Sequence, residues 1–105
     1  MARGHKGGFV VLRFEFTEED DGRWAAICKE LGTATFGKSL EEARRDLVDA
    51  VELNLYMLEK HGERARFFKE HGIKIHREAP TSPPRPTIRN FSTLVEHQLR
   101  SLEYA

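Results

Sequence analysis

The sequence predicts an α+β fold in which a three-stranded antiparallel sheet, with a short fourth strand, is packed by one long and one short helix. Three observations lead to this prediction: alternating apolar residues over 9–16, an Asp-Gly turn at 21–22, and an extended segment that runs into a capped helix at Ser39. The chain has 105 residues, 39% of them apolar, which suits one small domain.

The first two strands are predicted to form a hairpin. Successive side chains of a strand point to opposite faces. One face of the first strand is wholly apolar, with Val10, Leu12, Phe14 and Phe16. The other face is mixed, with Phe9, Val11, Arg13 and Glu15. A polar loop follows, and residues 23–28 form the second strand with Trp24 near its start.

The third strand, over 33–37, leads directly into the long helix. Ser39 and Glu42 form a capping box, in which the Ser39 hydroxyl accepts from the Glu42 amide while the carboxylate reaches back to the Ser39 amide. The helix therefore spans 40–61 and ends before Gly62. Its buried stripe has spacings of three and four: Leu40, Ala43, Leu47, Ala50, Val51, Leu55 and Leu58.

The remaining chain is predicted to contain a shorter helix, a short strand, a linker and a tail. The shorter helix spans 63–71, and residues 73–76 alternate as the fourth strand, which completes a globular domain over 1–78. All four prolines lie in 79–86, which predicts a stiff linker. Residues 87–105 form an amphipathic tail helix when docked, with one apolar face: Phe91, Leu94, Val95, Leu99 and Leu102.

Charge and cysteine content argue against several classes of protein. Seventeen basic and seventeen acidic side chains cancel, so the chain lacks the net positive field typical of nucleic-acid binders. The single cysteine, Cys28, has no internal disulfide partner, and the first residues do not resemble a secretory leader, which predicts a cytoplasmic protein. No apolar run approaches the ~18 residues of a membrane span.

No pattern in the sequence indicates a catalytic site, a metal site or a cofactor. The candidate carboxylates are best interpreted as solvated surface groups: Glu15, Asp20, Asp21, Asp49 and Glu52. The three histidines of the second half have irregular spacing and suit structural or solvent-exposed positions: His61, His71 and His76. Cys28 is predicted to be a small core residue.

Apolar residues that are expected to lie at the surface instead indicate binding to another polypeptide. If the long helix covers only the Val10 side of the first strand, Phe9 and Val11 remain exposed beside Arg13 and Glu15. Trp24 is either an interface anchor or a half-buried sheet residue, and the sequence favours neither. The predicted partner- or oligomer-binding residues are Phe9, Val11, Arg13, Glu15, Trp24, Phe91, Leu94, Val95, Leu99 and Leu102.

Several short motifs recur in order over residues 9–75. They are Asp21-Gly22-Arg23-Trp24-Ala25-Ala26, Glu30-Leu31-Gly32, the stretch from Thr35 to Ala43, and Leu47-x-x-Ala50-Val51. Together with the strand-strand-strand-helix order, they resemble the HicB family of antitoxins. Lys29 stands where the family usually has a proline.

The resemblance implies a partial ribonuclease H-like fold without nuclease activity. It also implies a partner, the small basic toxin HicA, which cleaves mRNA. Many members carry a further C-terminal module that binds DNA and represses their own operon. Here nineteen residues follow the last proline, and they offer one helix where a ribbon-helix-helix unit needs a strand and two helices.

The sequence therefore predicts an antitoxin-like protein that occludes a HicA-like toxin by protein contact. Acidic groups are expected to match the positive charge of the toxin: Glu15, Glu18, Glu19, Asp20 and Asp21. Two alternatives remain open. One is a DNA-binding autorepressor, in which an oligomer pairs its tails, and the other is an orphan homo-oligomeric module that exchanges tails between subunits.

Overall fold

A computed structural model describes residues 8–77, 87–90 and 93–102. These residues form five strands and two helices: β1 Phe9–Glu18, β2 Trp24–Cys28, β3 Thr33–Gly37, α1 Leu40–Lys60, α2 Arg64–His71, β4 Thr87–Asn90 and β5 Thr93–Ser101. The linker predicted over 79–86 and the side chain of Phe91 lie outside the described residues. Neither described helix is long and apolar enough to cross a membrane.

The sheet is antiparallel throughout and has the strand order β3-β2-β1-β5-β4. β1 is the central strand, because β2 pairs with its residues 14–18 on one side and β5 pairs with residues 9–17 on the other. Both helices contribute to a single core on one side of this sheet. The predicted fold class, α+β with one long and one short helix on an antiparallel sheet, is confirmed.

The core is built by the two apolar patterns that the sequence displays. The first strand's apolar set is fully buried, with no exposed surface on Val10, Leu12, Phe14 or Phe16. It meets the buried stripe of α1, formed by Ala43, Leu47, Val51, Leu55 and Leu58. At the margins of that stripe, Leu40 and Ala50 are only half-buried. Phe68 of α2 closes the core beyond the end of α1.

The β3–α1 junction depends on Ser39 and Gly37. Ser39 Oγ accepts from the Glu42 amide at 3.1 Å, as predicted. The Glu42 carboxylate, however, accepts from the Lys38 amide at 2.9 Å and not from the Ser39 amide, so the second half of the predicted capping box is wrong. A Cβ at Gly37 would lie 2.6 Å from the Ala43 amide nitrogen, so only glycine allows the strand to pass this close to the helix.

The helix predicted for the tail is wrong, because these residues form β4 and β5. β5 pairs with β1 along nine residues, from Phe9 opposite Ser101 to Thr17 opposite Thr93. A helix would leave the whole of that β1 edge without backbone partners, whereas the strand satisfies it. Burial separates the tail's apolar residues accordingly: Leu94 packs against the core and Leu102 lies within it, while Val95 is buried outside the core cluster.

The short strand predicted over 73–76 is reduced to one bridge. His76 exchanges two backbone hydrogen bonds with Phe9, both 2.7 Å long. The β5 edge of β1 continues past this point, since the Leu102 amide donates to the Gly8 carbonyl at 2.8 Å. The start of β1 therefore has backbone partners on both of its edges.

Polar contacts tie α1 to both sides of the sheet. On the β3 side, Asn54 Nδ2 donates to Thr33 Oγ1 at 3.0 Å. On the β5 side, Arg44 binds the Glu96 carboxylate through two hydrogen bonds, Nε to Oε1 at 3.0 Å and Nη2 to Oε2. Glu96 is only 7% exposed, and the Arg44 guanidinium carbon lies 5.4 Å from the centroid of the Phe16 ring. This bidentate pair is the main charged link between the helix and the C-terminal hairpin, and Arg100 and Glu52 form a more exposed second link at 3.3 Å.

Cys28 lies at the end of β2, fully buried, which confirms its assignment to the core. Its Sγ lies 3.6 Å from Glu30 Oε1. Burial, followed by the neighbouring Glu30 carboxylate, raises the pKa of the Cys28 thiol to about 12 from its ordinary value of 9.0. The thiol is therefore neutral and unreactive in the folded protein.

Replacing Arg44 by Ala is expected to lower the free energy of unfolding by about 2 kcal/mol, because it leaves the Glu96 carboxylate buried without a cationic partner. Urea denaturation measures the change. Arg45→Ala is the matched control on the same helix, since the Arg45 side chain is 70% exposed and its nearest acid, Asp46, is 3.8 Å away. Its effect should stay within about 0.5 kcal/mol. Equal losses in the two variants would show that the Arg44–Glu96 pair contributes nothing.

The raised pKa of Cys28 predicts a specific loss of stability in alkali. The unfolded thiol ionises near pH 9 and the folded thiol near pH 12. The contribution is therefore complete below pH 9 and disappears as the pH rises toward 12. Between pH 7 and pH 10, wild type should lose about 1.4 kcal/mol more than a Cys28→Ala variant does. Parallel stability curves for the two proteins over this range would contradict the prediction.

Candidate functional site

The sheet face that points away from both helices is the candidate site, and we call it the open face. Strand alternation and register place the following residues on it: Phe9, Val11, Arg13, Glu15, Thr17, Ala25, Ile27, Ala34, Phe36, Thr93, Val95, His97, Leu99 and Ser101. No described helix packs on this face. Its apolar side chains range from 3% exposed for Val95 to 60% exposed for Phe36, whereas those of β1 on the opposite face are fully buried.

Two apolar zones make up most of the open face. The first lies on β2 and β3, where Ala25 is opposite Phe36 and Ile27 is opposite Ala34. Ile27 and Phe36 are 37% and 60% exposed. The second lies near the start of β1, where Val11 is opposite Leu99, and Phe9 follows two residues away. The apolar residues of this second zone are half-buried, so the exposed apolar surface is concentrated in the first zone. Exposed apolar surface on a sheet is typical of a site that another polypeptide covers.

A charged row separates the two zones. Arg13 lies opposite His97 across the β1–β5 ladder. Glu15 receives two ion pairs, from Arg13 Nε at 3.4 Å and from Lys29 Nζ at 3.9 Å. Glu15 is thus neutralised within the face, so the row carries more positive than negative charge. The expected role of Glu15 as a free acidic contact for a basic partner is not supported by this arrangement.

Glu30 fixes the geometry of that row. β2 ends with Cys28 opposite Phe14, so the next amide of β1, that of Arg13, has no backbone partner on this side. The Glu30 carboxylate takes its place and accepts from the Arg13 amide at 3.3 and 3.2 Å. Glu30 therefore holds β1 beyond the end of β2 and positions Arg13 on the open face.

The loop between β1 and β2 places acidic side chains at one end of the open face. It follows Glu18, the last residue of β1, one position after Thr17, which is paired with Ala25 of the first apolar zone. The Arg23 amide donates to Asp21 Oδ1 at 3.0 Å and lowers the pKa of Asp21, while the Arg23 guanidinium donates to Oδ2 at 2.9 Å. Glu19 and Asp20 of the loop are exposed and form no ion pair with a described residue. The same holds for Glu18, the last residue of β1, which lies opposite Trp24 on the helix side of the sheet.

The predicted binding residues divide between the two faces of the sheet. Phe9, Val11, Arg13 and Glu15 lie together on the open face, as the alternation of β1 indicates. The expected exposure of Phe9 and Val11 is wrong, since both are half-buried within the sheet. Val95 and Leu99 lie on the same face because the tail is a strand, but Val95 is only 3% exposed and so offers little surface to a partner. Trp24 lies on the helix side and packs against the core, which agrees with its interpretation as a half-buried sheet residue.

Sequence reasoning missed Ile27, Phe36 and Glu30. The first two occupy alternate positions of short strands, so the same period-of-two argument that found Phe9 and Val11 applies to them. Five-residue strands give that pattern few repeats. The role of Glu30 has no sequence signal, because it depends on where β2 ends relative to β1.

The candidate carboxylates and histidines are dispersed. Glu52 binds Arg100, and Asp49 is exposed on α1. His71 Nδ1 lies 2.9 Å from the Phe67 carbonyl, and its ring stacks on the Phe67 ring at 3.9 Å. Over the part of the chain that the structure describes, no three His, Cys, Asp or Glu side chains are grouped so that they could hold a metal ion.

The open face, with its apolar zones, charged row and acidic loop, is therefore the surface best suited to bind another polypeptide. Comparison of the sequence with family models and with curated proteins, and of the fold with solved structures, gave no match in any of the three.

Proposed function

We propose that this chain is an antitoxin-like binding protein of the cytoplasm that covers a small basic toxin with its open face. The observation that carries the proposal is the exposed apolar surface of Ile27 and Phe36, on a face that the two helices leave uncovered; Phe9 and Val11 lie half-buried on the same face. A partner that buries this surface gains the hydrophobic free energy that the fold leaves unused.

The charged row within the open face is net positive, whereas the exposed acids at one end of the face favour a basic partner. Glu19 and Asp20 lie in the loop next to the first apolar zone, with Glu18 at the end of β1, and described residues do not neutralise them. Such a cluster at the rim of an interface attracts a cationic protein and accelerates its encounter. The motifs shared with HicB antitoxins favour a toxin of the HicA kind as that partner. On this proposal the chain makes and breaks no bond, and it acts by shielding the toxin's RNA-binding surface.

Phe36→Glu tests the open face, because Phe36 is 60% exposed and its replacement should not disturb the core. Leu53→Glu is the matched control, since Leu53 is 62% exposed on the outer side of α1. Each variant is co-expressed with the small basic open reading frame adjacent to its own gene, and growth and co-purification are measured. Phe36→Glu should weaken the complex at least about tenfold and lose rescue, as expected for a charge placed in an interface core.

The Leu53→Glu variant should bind and rescue as wild type does. Absence of an adjacent basic reading frame, or wild-type chain that neither binds its product nor restores growth, would contradict the antitoxin proposal. Equal binding by Phe36→Glu and wild type would show that the open face is not the contact.

The acidic loop should control the rate of association. A variant with Glu18→Gln, Glu19→Gln and Asp20→Asn removes three charges without changing shape. Its association rate constant with the same toxin should fall several-fold at low salt and depend less on salt concentration, whereas the dissociation rate should change little. Stopped-flow fluorescence at several salt concentrations measures both. An unchanged association rate would mean that the loop does not face the toxin.

A further inference from the structure

The outer side of α1 carries a second exposed apolar surface, distinct from the open face. Leu53, Tyr56 and Met57 are 62%, 45% and 39% exposed. They lie three and four residues apart, so their side chains form one continuous patch on the helix. Residues two positions apart on a helix differ by about 200° in direction, which places Leu53 opposite the buried Val51 and Leu55.

Charged residues flank this patch in a polar order along the helix. Asp49 lies one turn before Leu53, and Lys60 lies one turn after Tyr56, with its Nζ 6.0 Å from the Tyr56 ring centroid. Both charged side chains are exposed, and neither forms an ion pair within the described part of the chain. Along the outer face, the sequence of properties is therefore acidic, apolar and basic.

This order is self-complementary only when two helices run in opposite directions. About a two-fold axis through the apolar patch, Asp49 of one chain lies against Lys60 of the partner subunit, and the same pair occurs twice. A parallel arrangement would place like charges against each other. We propose that a second copy of this chain binds the outer face of α1 in this antiparallel orientation. The proposal does not depend on the function assigned to the open face.

The expected dimer is a weak one. Its contact consists of one face of a 21-residue helix in each subunit, which is at or below the lower end of specific interfaces, about 1,200 Å² in total. Interfaces of this size form and dissociate readily. The fraction of dimer should therefore depend on protein concentration, and a wide range of concentrations is needed to detect it.

Sedimentation equilibrium of the full chain, from about 10 μM to about 1 mM, tests the surface. The wild-type mass should rise from 12.1 kDa toward twice that value. Leu53→Glu should raise the dimer dissociation constant at least about tenfold, because it places a charge at the centre of the patch. Phe36→Glu, on the other face of the molecule, should leave the constant unchanged.

Charge exchange tests the orientation. Asp49→Lys and Lys60→Glu should each raise the dissociation constant about fivefold or more, because each turns two attractive pairs into repulsive ones. The double variant should recover wild-type dimerisation, and an equimolar mixture of the two single variants should form the heterodimer.

Three results would overturn the proposal. The first is a wild-type chain that remains monomeric at the highest concentration, and the second is a dimer that Phe36→Glu weakens while Leu53→Glu does not. The third is a double variant that fails to recover dimerisation. None of them bears on toxin binding, so failure here is distinguishable from failure of the proposed function. Circular dichroism of every variant checks that the fold is retained.

Discussion

The nine-residue ladder between β1 and β5 is the interaction on which the rest of the structure depends. β1 is longer than β2, so its first half has neighbours only in β5 and in the short bridge to His76. Without β5, that half of β1 would have an unpaired backbone edge next to exposed apolar side chains, a combination that favours aggregation. With β5 in place, β1 becomes an interior strand that holds the core on one side and the open face on the other.

Most of the N-terminal half of the fold follows from local signals. The alternation over β1, the Asp-Gly turn and the Ser39 cap each act over a few residues, and the structure has an element where each predicts one. The tail lacks such a signal. The residues of β5 that share the helix side with Leu94 are Glu96, Gln98 and Arg100, which are polar, so the apolar residues of the tail match a helical spacing by coincidence. The buried Glu96 has its partner in α1, far away in sequence, and no local pattern reveals that contact.

The candidate site was half predictable for a related reason. Phe9 and Val11 belong to a long strand with a clear alternating pattern. Ile27 and Phe36 belong to two short strands, and they form one apolar zone only because the sheet places these strands next to each other. The sequence analysis assigned no role to Leu53, Tyr56 and Met57 on the outer side of α1, because a helix with one good apolar stripe does not need a second one. The two exposed surfaces face opposite directions, so a toxin and a second copy of the chain could be held at the same time.

The position of β5 also has a consequence for biosynthesis. Its pairing partner β1 leaves the ribosome early, whereas β5 emerges last among the described elements, after both helices. During translation, one edge of β1 therefore remains unpaired until β5 is synthesised. The Arg44 guanidinium of α1 likewise has no Glu96 carboxylate to bind until then. Such a nascent chain must form non-local contacts late, and an unpaired strand edge that persists until then favours aggregation.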